Sequence, residues 1–250
     1  LFNVCYSPAW NNYVVFHCAS TIMWPRDWIP LSFRHAAVYT YGYPNDMSFW
    51  QGQPARMCLK ERAKNFFAEL HVHRIGSNGR PVVFLGHSMG GLVIKAALVH
   101  AREVARETTN PELATYAACL LESVRGVVFY GTPHMGSDLA DWVKYFRIGR
   151  HTPAIDTLEA FNMNLKELQD AFVALNVGSV SFYEKEPLKV TTFVSAIIVP
   201  RESADMALPQ HDAVATDTDH STVCKPLSTE DLIRLIYTRT VESLERWLNP

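Results

Sequence analysis

The chain has 250 residues, of which 48% are hydrophobic and 19% charged, and its formal net charge is -2. This composition supplies a sizeable buried core and predicts a single domain that covers residues 1–250. The balance of charges excludes nucleic-acid binding through a basic face. Five scattered cysteines without a C-x-x-C pair indicate neither a disulfide framework nor a zinc site, and they favour a reducing, intracellular compartment.

The apolar runs of the sequence are short. Those at 82–85 and 196–199 fall far below the length that a membrane-spanning helix requires. Residues 1–12 lack the basic and apolar regions of a signal peptide. Because the sequence does not begin with Met, we expect the domain to be N-terminally incomplete.

Short β-branched or aromatic runs alternate with longer stretches of helical spacing. The runs predict strands at 13–16, 36–41, 81–85, 126–130, 178–183 and 192–199. Apolar residues recur at helical intervals from Leu59 to Leu70, and a second such stripe follows the third predicted strand. This alternation predicts an α/β fold with a mostly parallel central sheet flanked by helices.

Two helical regions lie outside this simple alternation. Residues 138–174 exceed the length of a minimal crossover between strands, and their apolar residues alternate with charged ones. We therefore predict a helical cap insertion over an apolar pocket. The last helix is predicted to begin near Ser228, whose hydroxyl can cap it, and to bury Ile236 and Leu244.

The segment Gly86-His87-Ser88-Met89-Gly90 follows an apolar strand and precedes a helical stripe. This G-x-S-x-G pattern is typical of the nucleophile elbow of α/β-hydrolases, where small neighbours let a serine occupy a strained turn above the sheet. Ser88 is therefore the predicted nucleophile. The backbone N–H of Met89, at the start of the helix, is predicted to stabilise an oxyanion.

A serine hydroxyl needs a histidine to accept its proton, and α/β-hydrolases supply the acid and then the histidine later in the chain. His211 and His220 both lie in the predicted loop before the last helix, and we favour His220, which is nearer to that helix. For the acid we favour Glu184, at the end of a predicted strand, over Asp205. The residues predicted to line or support this site are Gly86, His87, Gly90, His134 and Asp205.

Several segments together resemble one family: GHSMGG at 86–91, VVFYGTPHMGS at 127–137, SFYE at 181–184, VPRESA at 199–204, and DHS at 219–221 with Cys224 and Lys225. They resemble the serine-active-site-containing hydrolases, a lipase-like branch of the α/β-hydrolases related to GPI-inositol deacylases. The resemblance implies Ser88 as nucleophile, His220 as base and Glu184 as acid. It also implies a lipid or ester substrate and peripheral contact with membranes of organelles such as the mitochondrion or endoplasmic reticulum.

The sequence departs from this family at the first predicted strand. There the family has His-Gly, which supplies the second oxyanion donor, whereas this chain has His17 followed by Cys18. One such donor contributes about 10²- to 10³-fold in rate. A serine esterase, a catalytically weak protein-interaction module on the same scaffold, and a thioesterase or acyltransferase all remain open. The predicted mechanism uses no metal and no organic cofactor.

Overall fold

The computed structural model describes most of the chain, namely residues 2–5, 23–42, 59–134, 165–189, 195–206, 211–226 and 231–248. Eight strands occupy these ranges: β1 (Phe2–Cys5), β2 (Val38–Tyr41), β3 (Val82–His87), β4 (Val124–Tyr130), β5 (Gly178–Glu184), β6 (Leu188–Lys189), β7 (Ser195–Ala196) and β8 (His211–Thr216). Seven helices accompany them: α1 (Trp24–Ser32), α2 (Leu59–Val72), α3 (Met89–Glu107), α4 (Pro111–Ser123), α5 (Leu165–Val173), α6 (Arg201–Ala204) and α7 (Asp231–Leu248).

Six strands form one sheet in the order β2-β1-β3-β4-β5-β8, and β6 and β7 form a second, two-stranded sheet. The strands β3, β4, β5 and β8 are parallel, while β1 runs antiparallel to both of its neighbours. Parallel strands need crossover helices, which cover both faces of the sheet. The carboxyl ends of β3, β4, β5 and β8 therefore meet along one edge.

Two apolar layers hold the helices against the sheet. On one face, side chains of α2, α3, α4 and α5 pack with Phe84, Val127 and Phe129. On the other face, α1 and α7 pack on alternate residues of the same strands, among them Val128 and Phe182. Strands buried on both faces lack polar alternation, which is why β3 and β4 are almost continuously apolar.

The structure confirms four of the predicted strands, at 36–41, 81–85, 126–130 and 178–183, with small shifts at their ends. The predicted strand at 13–16 lies outside the described residues. Of the predicted strand at 192–199, the structure describes 195–199, and there the prediction is wrong: Ser195–Ala196 pairs with β6 in a separate two-stranded sheet, and Ile198 and Val199 belong to no described strand. Ile198 and Val199 are apolar because they are buried, and their N–H groups bond to a carboxylate instead of a neighbouring strand.

The last strand of the main sheet is β8, whose sequence HDAVAT carries no apolar alternation because it is a partly exposed edge strand. His211 therefore begins a strand, and the prediction that it lies in a loop is wrong. The sequence analysis also left β1, α1 and α4 unassigned. Strand β1 is short and α1 contains Pro25 and Pro30, whereas α4 is a 13-residue helix that begins at Pro111.

Helix α5 covers the described part of the predicted insertion at 138–174. It leads from β4 to β5, and its side chains Leu165, Leu168 and Phe172 belong to the core cluster shared with α3. From Leu165 onward the segment is thus a sheet-covering helix, while 138–164 lies outside the described residues. Helix α7 buries Ile236 and Leu244, as predicted, and Ser228 is likewise outside the described residues. No described helix is both long and apolar enough to cross a membrane.

Candidate active site

Ser88 occupies the sharp turn between β3 and α3. Its backbone has φ 55 and ψ -130, a left-handed conformation that non-glycine residues adopt only under strain. The turn is close-packed, because a Cβ on Gly86 would lie 2.8 Å from Cα of Gly91. The Ser88 N–H donates to the carbonyl of Tyr130 at 2.8 Å and so anchors the turn to β4. Strand, turn and helix together present the Ser88 hydroxyl at the carboxyl edge of the sheet.

His220 and Glu184 lie beside this serine. Nε2 of His220 is 2.9 Å from the Ser88 Oγ, and Nδ1 of His220 is 3.3 Å from Oε1 of Glu184. The two side chains are almost fully removed from solvent. The carboxylate favours the imidazole tautomer that carries its proton on Nδ1, which leaves Nε2 as the acceptor for the serine hydroxyl.

Main-chain groups orient the carboxylate. Oε1 of Glu184 accepts hydrogen bonds from the N–H groups of Ile198 at 3.0 Å and Val199 at 2.6 Å. Two hydrogen bonds to one carboxylate oxygen limit the rotation of the group. Glu184 is therefore a fixed acceptor opposite His220.

A short polar turn presents His220. Oδ1 of Asp219 accepts bonds from the N–H groups of Ser221 and Thr222 at 2.9 and 3.0 Å, which closes an Asx turn around the histidine. From the other side, Nε2 of His87 lies 2.8 Å from the carbonyl oxygen of His220 and donates to it. Burial lowers the pKa of His87 to about 4, so its ring is neutral at neutral pH.

Two opposing effects set the pKa of His220. Burial disfavours the imidazolium and lowers the pKa below its ordinary value, whereas the hydrogen bond to Glu184 acts in the opposite direction. The net lowering keeps Nε2 unprotonated at neutral pH. A neutral Nε2 in contact with a hydroxyl is the state that a general base requires.

The loop after β4 packs against the same pair of residues. Gly131 has φ +51, and a Cβ placed on it would lie 3.0 Å from Nδ1 of His220 and 3.3 Å from Oε2 of Glu184. The following residue, Thr132, is fully buried against Gly91 of the elbow. The absence of a side chain at Gly131 lets His220 approach Glu184. Sequence analysis missed Gly131 because this proximity joins distant parts of the chain.

The other predicted residues take different positions relative to this triad. Asp205 caps the end of α6, and its carboxylate lies 4.0 Å from Nε of Arg201. The imidazole of His211 contacts the Ser179 hydroxyl at 2.9 Å, and His134 is buried below the site. Met89 is the first residue of α3, so its N–H has no acceptor within the helix. His17 and Cys18 are outside the described residues.

Sequence analysis also missed Lys95, which is fully buried on α3 and contacts His134. Its signal was a single cation within the apolar run from Leu92 to Val99. Among the described residues, no group of three or more His, Cys, Asp or Glu side chains could hold a metal ion.

Together these features define an α/β-hydrolase fold. A strained serine joins a parallel strand to a helix, an acidic residue ends the strand two positions away in the sheet, and a histidine follows the last strand. Such a serine, histidine and carboxylate can carry nucleophilic acyl transfer.

Comparison with known proteins gives relatives of greater length. The protein SERAC1 of Homo sapiens is 28% identical over 239 residues, which are 91% of this chain and 33% of the relative. The protein SERAC1 of Danio rerio is 27% identical over 240 residues, 90% of this chain and 33% of the relative. The chain thus spans about a third of the length of these curated relatives. No protein-family model matches it.

Two solved structures are similar to this chain at low sequence identity. A hydrolase from Pseudomonas aeruginosa PA01 is 13% identical with a TM-score of 0.44, and the match covers 91% of this chain and 85% of that one. A lipase-esterase related protein from Clostridium acetobutylicum ATCC 824 is 12% identical with a TM-score of 0.39, covering 85% of this chain and 82% of that one.

Proposed function

We propose that the chain is a serine hydrolase that cleaves a carboxylic ester, in particular a lipid ester, through an acyl-enzyme on Ser88. The observation that carries this proposal is the continuous contact from Ser88 to His220 at 2.9 Å and from His220 to Glu184 at 3.3 Å. These distances are within or close to the range of a working triad before substrate binds.

In the first half of the reaction, Oγ of Ser88 attacks the ester carbonyl carbon while Nε2 of His220 takes the hydroxyl proton. The carbonyl oxygen becomes an oxyanion, and the Met89 N–H at the start of α3 donates to it. When the tetrahedral intermediate collapses, the ester C–O bond breaks and the alcohol leaves with the proton from His220. Glu184 stabilises the transient imidazolium.

In the second half, a water molecule gives a proton to His220 and attacks the acyl carbon. The bond between that carbon and Ser88 Oγ then breaks, the proton returns to the serine, and a carboxylic acid leaves. The triad supports acyl transfer from an ester, and thioesterases and acyltransferases share the same chemistry. The preference for a lipid, peripheral membrane contact and an intracellular location is proposed from the motifs that resemble lipase-like hydrolases.

The test is covalent labelling with a fluorophosphonate followed by identification of the labelled peptide. We expect labelling of Ser88 and none of Ser88→Ala, and equal labelling of both proteins would contradict the proposal. A panel of nitrophenyl esters of increasing chain length, with matched thioesters, then defines the leaving group and acyl chain. Labelling at Ser88 without turnover of any ester or thioester would favour an interaction module, and transfer to an added alcohol would favour an acyltransferase.

A further inference from the structure

A second group of polar side chains is buried between the sheet and the helices α3 and α5. Lys95, which is fully buried, donates from Nζ to Nδ1 of His134 at 3.2 Å and to Oε1 of Gln169. Nε2 of His134 in turn lies 3.0 Å from the hydroxyl of Ser181. Within the described part of the chain, no carboxylate lies within ion-pair distance of Lys95. None of these groups takes part in the proposed proton transfers.

This arrangement is costly for folding. An amine without a carboxylate partner loses its hydration when buried, and an apolar side chain of the same length would avoid that cost. Burial accordingly lowers the pKa of Lys95 to about 7. The polar group therefore needs a role other than stabilising the core.

The contacts of His134 suggest that role, because they reach both elements that hold Glu184. Its ring bonds to Ser181, which lies on β5 together with Glu184. Its backbone N–H donates at 2.7 Å to the carbonyl of Ser203 on α6, the helix that follows the two amides bound to Glu184. The loop that carries His134 begins at Gly131, directly against the Glu184–His220 pair.

We infer that His134, held by Lys95, is a positioning residue that fixes segment 198–204 relative to β5 and thereby aims the Glu184 carboxylate at Nδ1 of His220. Through the triad, this inference rests on the proposed function. In its ammonium form Lys95 can only donate, so it makes Nδ1 of His134 the acceptor and Nε2 the donor toward Ser181.

The groups around the ring keep it neutral. Lys95 of α3 contacts the His134 ring, and His211 of β8 lies beside it, with the centroids of the two imidazole rings 6.1 Å apart. Asp205, which follows α6, interacts electrostatically with His211. Burial, followed by the charges of Lys95 and His211, lowers the pKa of His134 well below its ordinary value. A proton on Nδ1 would face the donor Nζ of Lys95 and break the contact.

The test measures the pKa of His220 by NMR in protein labelled with ¹³C-histidine, with the resonance assigned by its absence in His220→Asn. The main variant is the double substitution Lys95→Met with His134→Phe, which leaves no buried amine unpaired. It also removes the partners of Gln169 Oε1 and the Ser181 hydroxyl, so circular dichroism and thermal melting verify that the variant is folded. If Glu184 is misaligned, its support of the imidazolium is lost, and we expect the His220 pKa to fall by about one unit. Loss of the positive charge of Lys95 alone would raise the His220 pKa.

A second readout is the rate at which a fluorophosphonate labels Ser88, which should fall by about 10- to 100-fold in the double variant. The matched control is Tyr116→Phe, which removes a buried hydrogen bond to the carbonyl of Ile75 far from the site. It should lower the melting temperature without changing the His220 pKa or the labelling rate.

The outcomes separate the two proposals. An unchanged His220 pKa in the double variant overturns the inference, whether or not labelling slows, because slower labelling alone would show a merely structural role. A fall in the His220 pKa together with an unreactive Ser88 in the wild type would support the positioning of Glu184 and contradict the hydrolase function.

Discussion

Gly131 and His220 lie so close that a single added carbon would force them apart: a Cβ on Gly131 would meet Nδ1 of His220 at 3.0 Å. We predict that Gly131→Ala slows labelling of Ser88 by about 10-fold, because the His220 ring must shift by a few tenths of an ångström and a misplacement of about 1 Å costs about 10²-fold. The control is Gly79→Ala. Gly79 also has a positive φ, of +71, but a Cβ there would meet nothing within 4 Å.

Both alanine substitutions place an L-residue in a left-handed conformation and should cost about 1 kcal/mol of stability. Denaturant unfolding and labelling are measured on both proteins. If Gly79→Ala slows labelling as much as Gly131→Ala does, backbone strain and not contact with His220 is responsible.

Glu184→Gln should lower ester turnover by about 10⁴-fold, the effect of losing the orienting carboxylate in the serine-protease template. The glutamine carbonyl can still accept the N–H groups of Ile198 and Val199, so the fold should be retained. Steady-state turnover and circular dichroism check both parts. The matched substitution Asp205→Asn should have little effect on turnover, and a collapse of turnover there with near-normal Glu184→Gln would transfer the role of acid to Asp205.

Asp219 shapes the turn that carries His220 through its Oδ1 atom, which an asparagine retains. We expect Asp219→Ala to destabilise the protein by about 1 kcal/mol and to slow labelling of Ser88 by about 10-fold, since the loss of turn and cap bonds has effects of this order. Asp219→Asn should behave as the wild type in both measurements. Equal losses in the two variants would instead assign the effect to the negative charge.

Buried bases make stability depend on pH. Burial lowers the pKa of His87 and of His211 to about 4, so between that value and the ordinary 6.5 only the unfolded chain binds these protons. The free energy of unfolding should therefore fall as pH drops through this window, by about 1.4 kcal/mol per pH unit for each histidine. Urea unfolding at closely spaced pH values measures the slope.

Lys95 has the corresponding effect at alkaline pH. Its pKa is about 7 in the folded protein and 10.5 in the ordinary case, so the unfolded chain binds one more proton between these values. Stability should rise with pH across that range, and Lys95→Met should remove this rise. An alkaline slope that is the same in both proteins would show that Lys95 titrates normally.

The sequence alone predicts the centre of this fold well, because its signals are local. Buried parallel strands are continuously apolar, and the elbow around Ser88 is a contiguous motif. Strand β8 was not predicted because a partly exposed edge strand is held by backbone hydrogen bonds to one neighbour and needs no apolar pattern in its sequence. The strand prediction around Val199 was wrong because a buried loop and a buried strand contain the same apolar residues.

The residues of the candidate site also differ in whether a local sequence signal identifies them. Ser88, His220 and Glu184 could be proposed from chain order and strand ends, which are properties of single segments. Gly131 and Lys95 could not be assigned a role, because each acts by proximity to residues distant in sequence.

The hold on Glu184 by main-chain N–H groups has an evolutionary consequence. Every amino acid except proline supplies such a donor, so the hydrogen bonds to the acid require no particular side chain at positions 198 and 199, and only the burial of these positions restricts them to apolar residues. Homologous chains should therefore exchange one apolar residue for another at these positions and exclude proline. The path of the main chain at 198–199, and not any side chain there, orients the acid, so a comparison of aligned side chains would not detect this feature.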